Sequence, residues 1–213
     1  MNFLEITDEN DAVEQFAEEM AMADWSEEEF EFIMEACDFA TLAHSGACRK
    51  GKLVPYIVHP MEAALIVSDI MRDKEMVAAA LLHDVVEDTD FTIQEIRERF
   101  GERVARLVHA ETEDKMRHLP AEASWKMRKE RAIANLHEET REEKMITLGD
   151  KLSNIRALAF DKKTKGDTMW EVFHQKDPRE QEWYYRSIDA GLLELRETAA
   201  WQEYHALCEQ VFS

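Results

Sequence analysis

An uninterrupted apolar run from Met76 to Leu82 leads directly into His83 and then into four acidic side chains within residues 84–90. A helix whose positions are all apolar is expected to be buried on every side. Burial of charged groups without partners is strongly unfavourable, so the acidic end of this run needs compensation. A metal cation is the obvious candidate, and the alternative is a helix C-terminus whose acidic end is solvated.

Helical spacing makes the metal hypothesis more specific. The stretch 74–88 is predicted to form one helix, in which Glu87 shares a face with His83 and Asp84, and Asp88 shares one with Asp84. The stretch therefore offers two ligands and, one turn later, two carboxylates that reach the same space. Adjacent side chains diverge by about 100° on a helix of roughly 3.6 residues per turn, so further ligands must come from elsewhere.

The length and composition favour one helical domain. The chain has 213 residues, enough to bury a core, and only six Gly and four Pro. No apolar run approaches the roughly 18 residues of a membrane span, and the acidic N-terminus lacks the basic flank of a signal peptide. We therefore expect a soluble, cytoplasmic protein. The cysteines Cys37, Cys48 and Cys208 are scattered, which indicates neither a disulfide framework nor a thiolate zinc site.

The negative charge is unevenly distributed along the chain. The net charge is −20, and the first 48 residues hold 14 acidic side chains with no Lys or Arg. General binding of DNA or RNA is not expected, because it depends on Lys and Arg contacts with phosphate. Two local basic clusters, Arg49-Lys50 in a loop over 46–55 and the stretch 114–131, are compatible with a small phosphorylated ligand. The alternatives are a soluble turn and a solvated helix face.

Several helix boundaries are predicted by capping patterns. Residues 1–25 are acidic and are interpreted as either a helix or an arm. Ser26 with Glu29, and Thr92 with Glu95, predict capping boxes at the starts of two helices. The first of these is expected to be the first core helix.

Two further candidate site residues lie on or beside other predicted helices. Pro60 is suited to the first turn of a helix over 61–71, which places His59 just before that helix. Asp150 stands on the apolar side of a helix over 141–160, with Asn154 one turn later on the same face. A buried aspartate needs a partner, and a metal would serve. The remaining predictions are a polar break over 161–167 and helical stretches over 179–198 and 200–211.

The order of these residues, His59, then His83-Asp84, then Asp150, resembles the H…HD…D pattern of the HD-domain superfamily. Over about residues 34–160 the chain closely resembles the hydrolase domain of RelA/SpoT-type alarmone enzymes, with the motifs YIVHP at 56–60, HDVVEDT at 83–89 and DKLSNIR at 150–156. The resemblance implies an all-α fold, the HD-domain helical bundle. In that fold we expect residues 1–25 as an N-terminal arm or helix, 26–165 as the phosphohydrolase core, and 166–213 as C-terminal helices packed on the same domain.

The resemblance also implies one metal ion, usually Mn²⁺, held by His59, His83, Asp84 and Asp150. Imidazole and carboxylate ligands suit Mn²⁺ chemically, although these ligand types alone also admit Fe, Zn or Co.

The reaction implied by the resemblance removes the 3′-pyrophosphate from guanosine tetra- or pentaphosphate and gives GDP or GTP. Glu87 and Asp88 are then expected to be catalytic, acting on the attacking water and the leaving group. Arg49 and Lys50 would hold the phosphates, and Lys115 and Asn154 are similar to the family's nucleotide contacts. Because the length leaves no room for a synthetase domain, we expect a stand-alone small hydrolase.

Departures from the family pattern leave other functions open. Ala47, residues 51–54, Gly149 (a position that is often Ala) and residues 110–112 differ from the usual motifs, and these positions concern substrate fit more than metal binding. One alternative is the same metal centre acting on another small nucleotide, such as NADPH or a nucleoside phosphate. Another is an inactive nucleotide-binding or interaction module whose acidic N-terminal segment binds a partner.

Overall fold

A computed structural model of the chain describes residues 3–116 and 118–213. Within these residues the regular structure is helical, and the one β contact is an isolated antiparallel bridge between Cys48 and Pro55. The predicted all-α class is confirmed. The α-helices are α1 (Glu9–Ala21), α2 (Glu27–Ala43), α3 (Val58–Ile70), α4 (Lys74–Leu82), α5 (Val85–Asp88), α6 (Ile93–Phe100), α7 (Glu102–Glu111), α8 (Ala121–Leu136), α9 (Arg141–Lys165), α10 (Pro178–Gly191) and α11 (Ala199–Val211); short 3-10 helices cover Phe3–Glu5, Gly166–Val172 and Leu193–Leu195.

Both predicted capping boxes are present. The Glu29 carboxylate accepts the Ser26 backbone N–H at 2.9 Å while the Ser26 hydroxyl accepts the Glu29 N–H, and α2 begins there. Thr92 and Glu95 make the same reciprocal pair at the start of α6. Gly101 then separates α6 from α7 with a φ of +90°, a backbone conformation that residues other than glycine rarely adopt.

The helix predicted over 74–88 is divided in the structure. Helix α4 ends at Leu82, α5 begins at Val85, and His83 and Asp84 form the intervening turn. The physical reason is a competing hydrogen bond, because the His83 ring Nδ1 donates at 2.7 Å to the Ala80 carbonyl that would otherwise accept the next helical N–H. Both turn residues keep right-handed helical backbone angles, so the predicted order of side chains around the site survives the break.

Two other predicted boundaries are wrong. His59 lies in the first turn of α3 and not before it. The polar stretch 161–167 does not end α9, which continues to Lys165. The helix continues because Asp161 is buried and forms ion pairs with Lys52 at 3.1 Å and with Lys165 at 3.2 Å.

Helix α9 is the centre of the bundle. It contacts α3, α4, α7 and α11, and most of its positions from Met145 to Leu158 are buried. All seven residues from Met76 to Leu82 on α4 are fully buried, as their apolar character predicts. The free thiols Cys37 and Cys208 are buried and Cys48 is exposed. None of the described helices combines the length and the apolar character that a membrane crossing requires.

Gly149 allows a close approach between α9 and α3. A Cβ atom at this position would lie 2.9 Å from the Ala63 carbonyl oxygen and 2.9 Å from the Val67 side chain. The obstacle is partly backbone, which moves less readily than the end of a flexible side chain. Because His59 is on α3 and Asp150 follows Gly149 on α9, this contact sets the distance between two candidate site residues.

We predict that Gly149→Ala destabilises the protein even though alanine is the better helix former. Alanine gains about 1 kcal/mol of helix propensity, whereas overpacking against α3 costs about 1–3 kcal/mol. The expected result is a lower free energy of unfolding by urea denaturation. Lys163→Ala, at an exposed position of the same helix, is the control and should change stability little. A Gly149→Ala protein more stable than the parent would contradict the close approach.

Candidate active site

Four side chains from distant parts of the sequence converge where α3, the α4–α5 turn and α9 meet. One ligand atom from each of His59, His83 and Asp150 lies within 4.8 Å of the other two. His59 Nε2 is 3.2 Å from Asp150 Oδ1 and 3.5 Å from Asp84 Oδ2. His83 Nε2 is 3.1 Å from Asp84 Oδ2 and 4.0 Å from Asp150 Oδ1. The structure therefore brings together all four predicted metal ligands.

Hydrogen bonds behind the two imidazole rings fix which nitrogen faces the cluster. The Ala80 carbonyl can only accept, so His83 Nδ1 carries a proton, and in the neutral form of this ring the lone pair is on Nε2. His59 Nδ1 lies 2.9 Å from Ser153 Oγ, and the Ser153 hydroxyl donates to Glu62 at 2.8 Å. His59 Nδ1 is consequently also the donor. Both Nε2 atoms face the two carboxylates, which is the arrangement expected of side chains that share one cation.

The electrostatics of the cluster fit a divalent cation. In the part of the chain that the structure describes, the buried His83 Nε2 has no hydrogen-bond partner, although it lies 3.1 Å from Asp84 Oδ2. Burial lowers the pKa of His83, but Asp84 and Asp150 outweigh it and raise that pKa to about 10. The same anionic surroundings favour a bound metal ion. Burial, with the nearby Arg49 cation, lowers the pKa of His59 to about 4, so this imidazole is the neutral form that binds metals.

Tyr56 is a site residue that sequence reasoning missed. Its hydroxyl donates to Asp84 Oδ2 at 2.5 Å, and its ring lies against His44 and His59 with centroids 4.8 and 5.9 Å away. Burial and the Asp84 charge raise the pKa of Tyr56, which keeps the hydroxyl a donor. The only available signal was its position in the motif that contains His59.

A cavity of about 870 Å³ opens beside the cluster and includes the two predicted catalytic carboxylates in its wall. Glu87 accepts the Glu113 backbone N–H at 3.0 Å, and burial together with the Asp84 charge raises the pKa of Glu87. Asp88 forms an ion pair with Lys115, whose Nζ is also 3.5 Å from Glu87. The predicted nucleotide contact Lys115 thus lies between the two predicted catalytic groups.

Arg49 and Asn154, both predicted to bind substrate, are joined to the cluster. The Arg49 guanidinium donates at 3.0 Å to the Asn154 amide oxygen, and the Asn154 amide nitrogen donates at 2.5 Å to Asp150 Oδ1. The loop after α2 is thereby linked to α9 one helical turn from Asp150. This arrangement places a guanidinium beside the cluster and facing the cavity.

The cavity has a cationic wall despite the strongly acidic composition of the chain. Lys50 is exposed at its edge, and desolvation by the surrounding wall together with the cations Lys129 and Lys115 lowers the pKa of Lys50. Lys129 and Arg128 also line the cavity, where both pair with Glu113. The basic stretch 114–131 is therefore divided, since Lys126 instead pairs with Glu180 and covers the Trp183 ring.

A second pair of carboxyl groups in the cavity wall was not predicted. The Thr147 hydroxyl lies 2.8 Å from Glu111 and 3.1 Å from Glu139. Burial and the Glu139 charge raise the pKa of Glu111 to about 8, so this side chain carries a proton at neutral pH. The sequence signal was the unusual stretch 110–112, whose meaning could not be interpreted without Thr147 and Glu139 beside it.

We predict that the stability of the Glu111→Gln variant, relative to that of the wild type, increases as the pH rises. The folded-state pKa of about 8 exceeds the ordinary value of 4.5, so the unfolded chain loses this proton first and wild-type stability falls between pH 5 and 8. Because glutamine does not titrate, the stability of the variant relative to wild type should rise by about 3 kcal/mol between pH 5 and pH 8. Urea unfolding at the two pH values, with a chelator present, measures it. Glu122→Gln, at an exposed position on α8, is the control, and an equal pH response in both variants would contradict the raised pKa.

Comparison with known proteins identifies close relatives of this chain. It is 41% identical over 129 residues to a guanosine-3′,5′-bis(diphosphate) 3′-pyrophosphohydrolase of Aquifex aeolicus, but spans only 18% of that protein. It is 39% identical to the guanosine-3′,5′-bis(diphosphate) 3′-pyrophosphohydrolases MESH1 of Danio rerio and of Homo sapiens, matching 59% of this chain and 68% and 69% of theirs.

Solved structures and a family model agree with these relatives. A structure described as a metazoan ortholog of SpoT that hydrolyzes ppGpp superposes with a TM-score of 0.70 at 27% identity, covering 88% of this chain and 98% of the other. The structure of lmo0812 from Listeria monocytogenes EGD-e gives 0.64 at 32% identity, covering 72% and 98%. The HD domain model matches residues 36–174, which include all four clustered side chains. This chain therefore belongs to the HD domain family.

Proposed function

We propose that this protein is a metal-dependent phosphohydrolase that removes the 3′-pyrophosphate from ppGpp or pppGpp, with GDP or GTP as the other product. The observation that carries the proposal is one cavity in which the His59–His83–Asp84–Asp150 cluster, a carboxylate pair and a cationic wall face each other. Relatives with the same domain bear this activity in their names.

The proposed metal ligands are His59, His83, Asp84 and Asp150, and we propose Mn²⁺ as the ion. Two neutral imidazoles with two carboxylates are a donor set that Mn²⁺ accepts readily. A divalent cation bound there would polarise a phosphoryl oxygen and make water acidic enough to act as a nucleophile near neutral pH. Tyr56 supports this set by holding the Asp84 carboxylate in place.

Glu87 and Asp88 are the proposed acid–base groups. In the hydrolysis, water adds to the phosphorus attached to the ribose 3′ oxygen, the bond between them breaks, and the departing oxygen takes a proton. Burial and the Asp84 charge raise the pKa of Glu87, a shift that favours proton uptake by this group. Lys115 contacts both carboxylates. Its ammonium group can also contact a phosphate, which would hold the substrate next to Glu87 and Asp88.

Arg49, Lys50, Lys115 and Asn154 are the proposed substrate contacts. The guanidinium of Arg49 offers the planar pair of donors that suits phosphate oxygens, and lysine ammonium groups act as point charges on the same ligand. Desolvation and repulsion from Lys129 and Lys115 lower the pKa of Lys50, and a ligand with several phosphates would relieve that repulsion.

The proposed organisation is one domain. Helix α1 buries Ala12, Phe16 and Met20 and contacts α3, and α11 buries Tyr204 and contacts α9. These contacts support the proposal that residues 26–165 form the core and that 166–213 complete the same domain. The cytoplasmic location stays a prediction.

The purified protein with Mn²⁺ is expected to release pyrophosphate and GDP from ppGpp, and Asp150→Ala or Asp84→Ala should lose bound metal and activity together. Metal content by elemental analysis and resolved nucleotide products measure both properties. Asp167→Ala, an exposed aspartate paired with Lys162, is the matched control.

Two outcomes would change the proposal. Full metal retention in Asp150→Ala would remove that residue from the ligand set. Activity on NADPH or a simple nucleotide in parallel assays, with ppGpp left intact, would keep the metal site and replace the substrate.

Glu87→Gln is expected to retain the metal but to slow turnover by about a hundredfold, the usual scale of general acid–base catalysis. The amide keeps the size of the side chain and its acceptor for the Glu113 N–H, while it removes the titrating group. The turnover number and the metal content should be measured together. Asp90→Asn, an exposed residue of the same acidic stretch, serves as the control, and an unchanged rate in Glu87→Gln would exclude Glu87 from the mechanism.

A further inference from the structure

The Nδ1 side of the His59 imidazole contacts a series of hydrogen-bonded side chains, which begins with Ser153 and Glu62 and extends away from the cavity. His59 Nδ1 lies 2.9 Å from Ser153 Oγ, and that hydroxyl donates to Glu62 Oε2 at 2.8 Å. Ser153 is fully buried, and only 7% of Glu62 is exposed. Buried polar groups of this kind require partners, and here each one is the partner of the next.

The series continues to the C-terminal helix. Arg156, one turn after Ser153 on α9, donates to Glu62 Oε1 at 3.1 Å. Its Nε and its second terminal nitrogen donate to the two carboxylate oxygens of Glu203 on α11, at 2.7 and 2.6 Å. The pair of parallel bonds makes this last contact geometrically specific.

The donor and the acceptor of each hydrogen bond in this series can be assigned. The guanidinium of Arg156 can only donate, and the Glu62 carboxylate that it contacts accepts. The Ser153 proton therefore goes to Glu62, which leaves the Ser153 lone pairs to accept from His59 Nδ1–H. This arrangement selects the His59 tautomer whose Nε2 can bind a metal and fixes the plane of the ring.

The two histidines of the cluster differ in how they are held. His83 Nδ1 is bonded to the backbone carbonyl of Ala80, which no side-chain substitution removes. His59 depends on side chains from α3, α9 and α11. The geometry of one metal ligand is thus open to change by residues far from the cavity.

We infer that Ser153, Glu62 and Arg156 are positioning residues for His59, and that α11 contributes to metal affinity through the Glu203–Arg156 pair. The inference rests on the metal dependence proposed above and assigns a role to a helix beyond the matched residues 36–174. Partners in the second layer of a metal site commonly alter affinity by about 10–100-fold.

The first test is the dissociation constant for Mn²⁺ of Ser153→Ala, measured by competition with a chromophoric chelator. We expect binding about 10–100-fold weaker than in the parent, and a shifted visible absorption spectrum of the Co²⁺-loaded protein, because the ring is no longer oriented. Ser153→Thr restores the hydroxyl and should recover most of the affinity. Thermal unfolding by circular dichroism establishes that each variant is folded. A folded Ser153→Ala protein with parental affinity and spectrum would overturn the inference.

The second test uses two matched glutamates of α11 that need not perturb the core. Glu203→Gln removes the charge that pairs with Arg156. Glu209→Gln removes the charge of a comparable exposed pair with Arg186, which does not belong to the series that ends at His59. We expect severalfold weaker Mn²⁺ binding in Glu203→Gln and no change in Glu209→Gln. Equal affinities in the two variants would overturn the role of α11.

Metal affinity separates this inference from the choice of substrate. A parent protein that binds Mn²⁺ but leaves ppGpp intact would refute the proposed reaction and leave the positioning role to be decided by the variants. A parent protein that binds no divalent cation would overturn both.

Discussion

The fold is organised around one cluster of two buried imidazoles, the buried Asp150 carboxylate and the half-buried Asp84 carboxylate. His59, His83, Asp84 and Asp150 come from three elements, and unpaired carboxylates are tolerated in such a place only when hydrogen bonds, counter-charges or a cation compensate them. Each surrounding helix contributes one part of this environment. Helix α4 excludes water with its apolar run from Met76 to Leu82, α9 carries the Asp150 carboxylate, and α3 presents a neutral imidazole.

Acidic and basic side chains are concentrated in different parts of this molecule, and the net charge does not show this separation. A protein with a net charge of −20 would repel a polyphosphate if its charges were evenly spread. Instead most of the acidic excess lies in the first 48 residues, while Arg49, Lys50, Lys115 and Lys129 line one cavity. Attraction between a phosphorylated ligand and the cavity therefore depends on short-range contacts and on the low polarity of the surroundings, where salt screens less effectively.

Composition, periodicity and capping favoured a helical protein, whereas the convergence of the four cluster residues was implied by the resemblance of their motifs to the HD-domain superfamily. It failed where one local contact overrides a pattern, as when the His83 ring takes the Ala80 carbonyl and divides a helix. Contacts across helices were equally inaccessible: Ser153 and Glu62 are 91 residues apart, and nothing in either neighbourhood indicates the other. Thr140 and Glu143 form a third capping box at the start of α9, and their spacing is the same as that of the two predicted ones. The roles of the individual site residues stay predictions.

The length and regularity of α9 have a consequence for the ligands that the cavity can accept. An α-helix is stiff and rises about 5.4 Å per turn, so two side chains one turn apart keep a fixed separation. Asp150 and Asn154 have this spacing, and Asn154 anchors the guanidinium of Arg49. The helix consequently sets the distance between the Asp150 carboxylate and the guanidinium of Arg49. The distance between the anionic groups of a ligand must therefore match about one helical turn, and this spacing matters as much as the number of anionic groups.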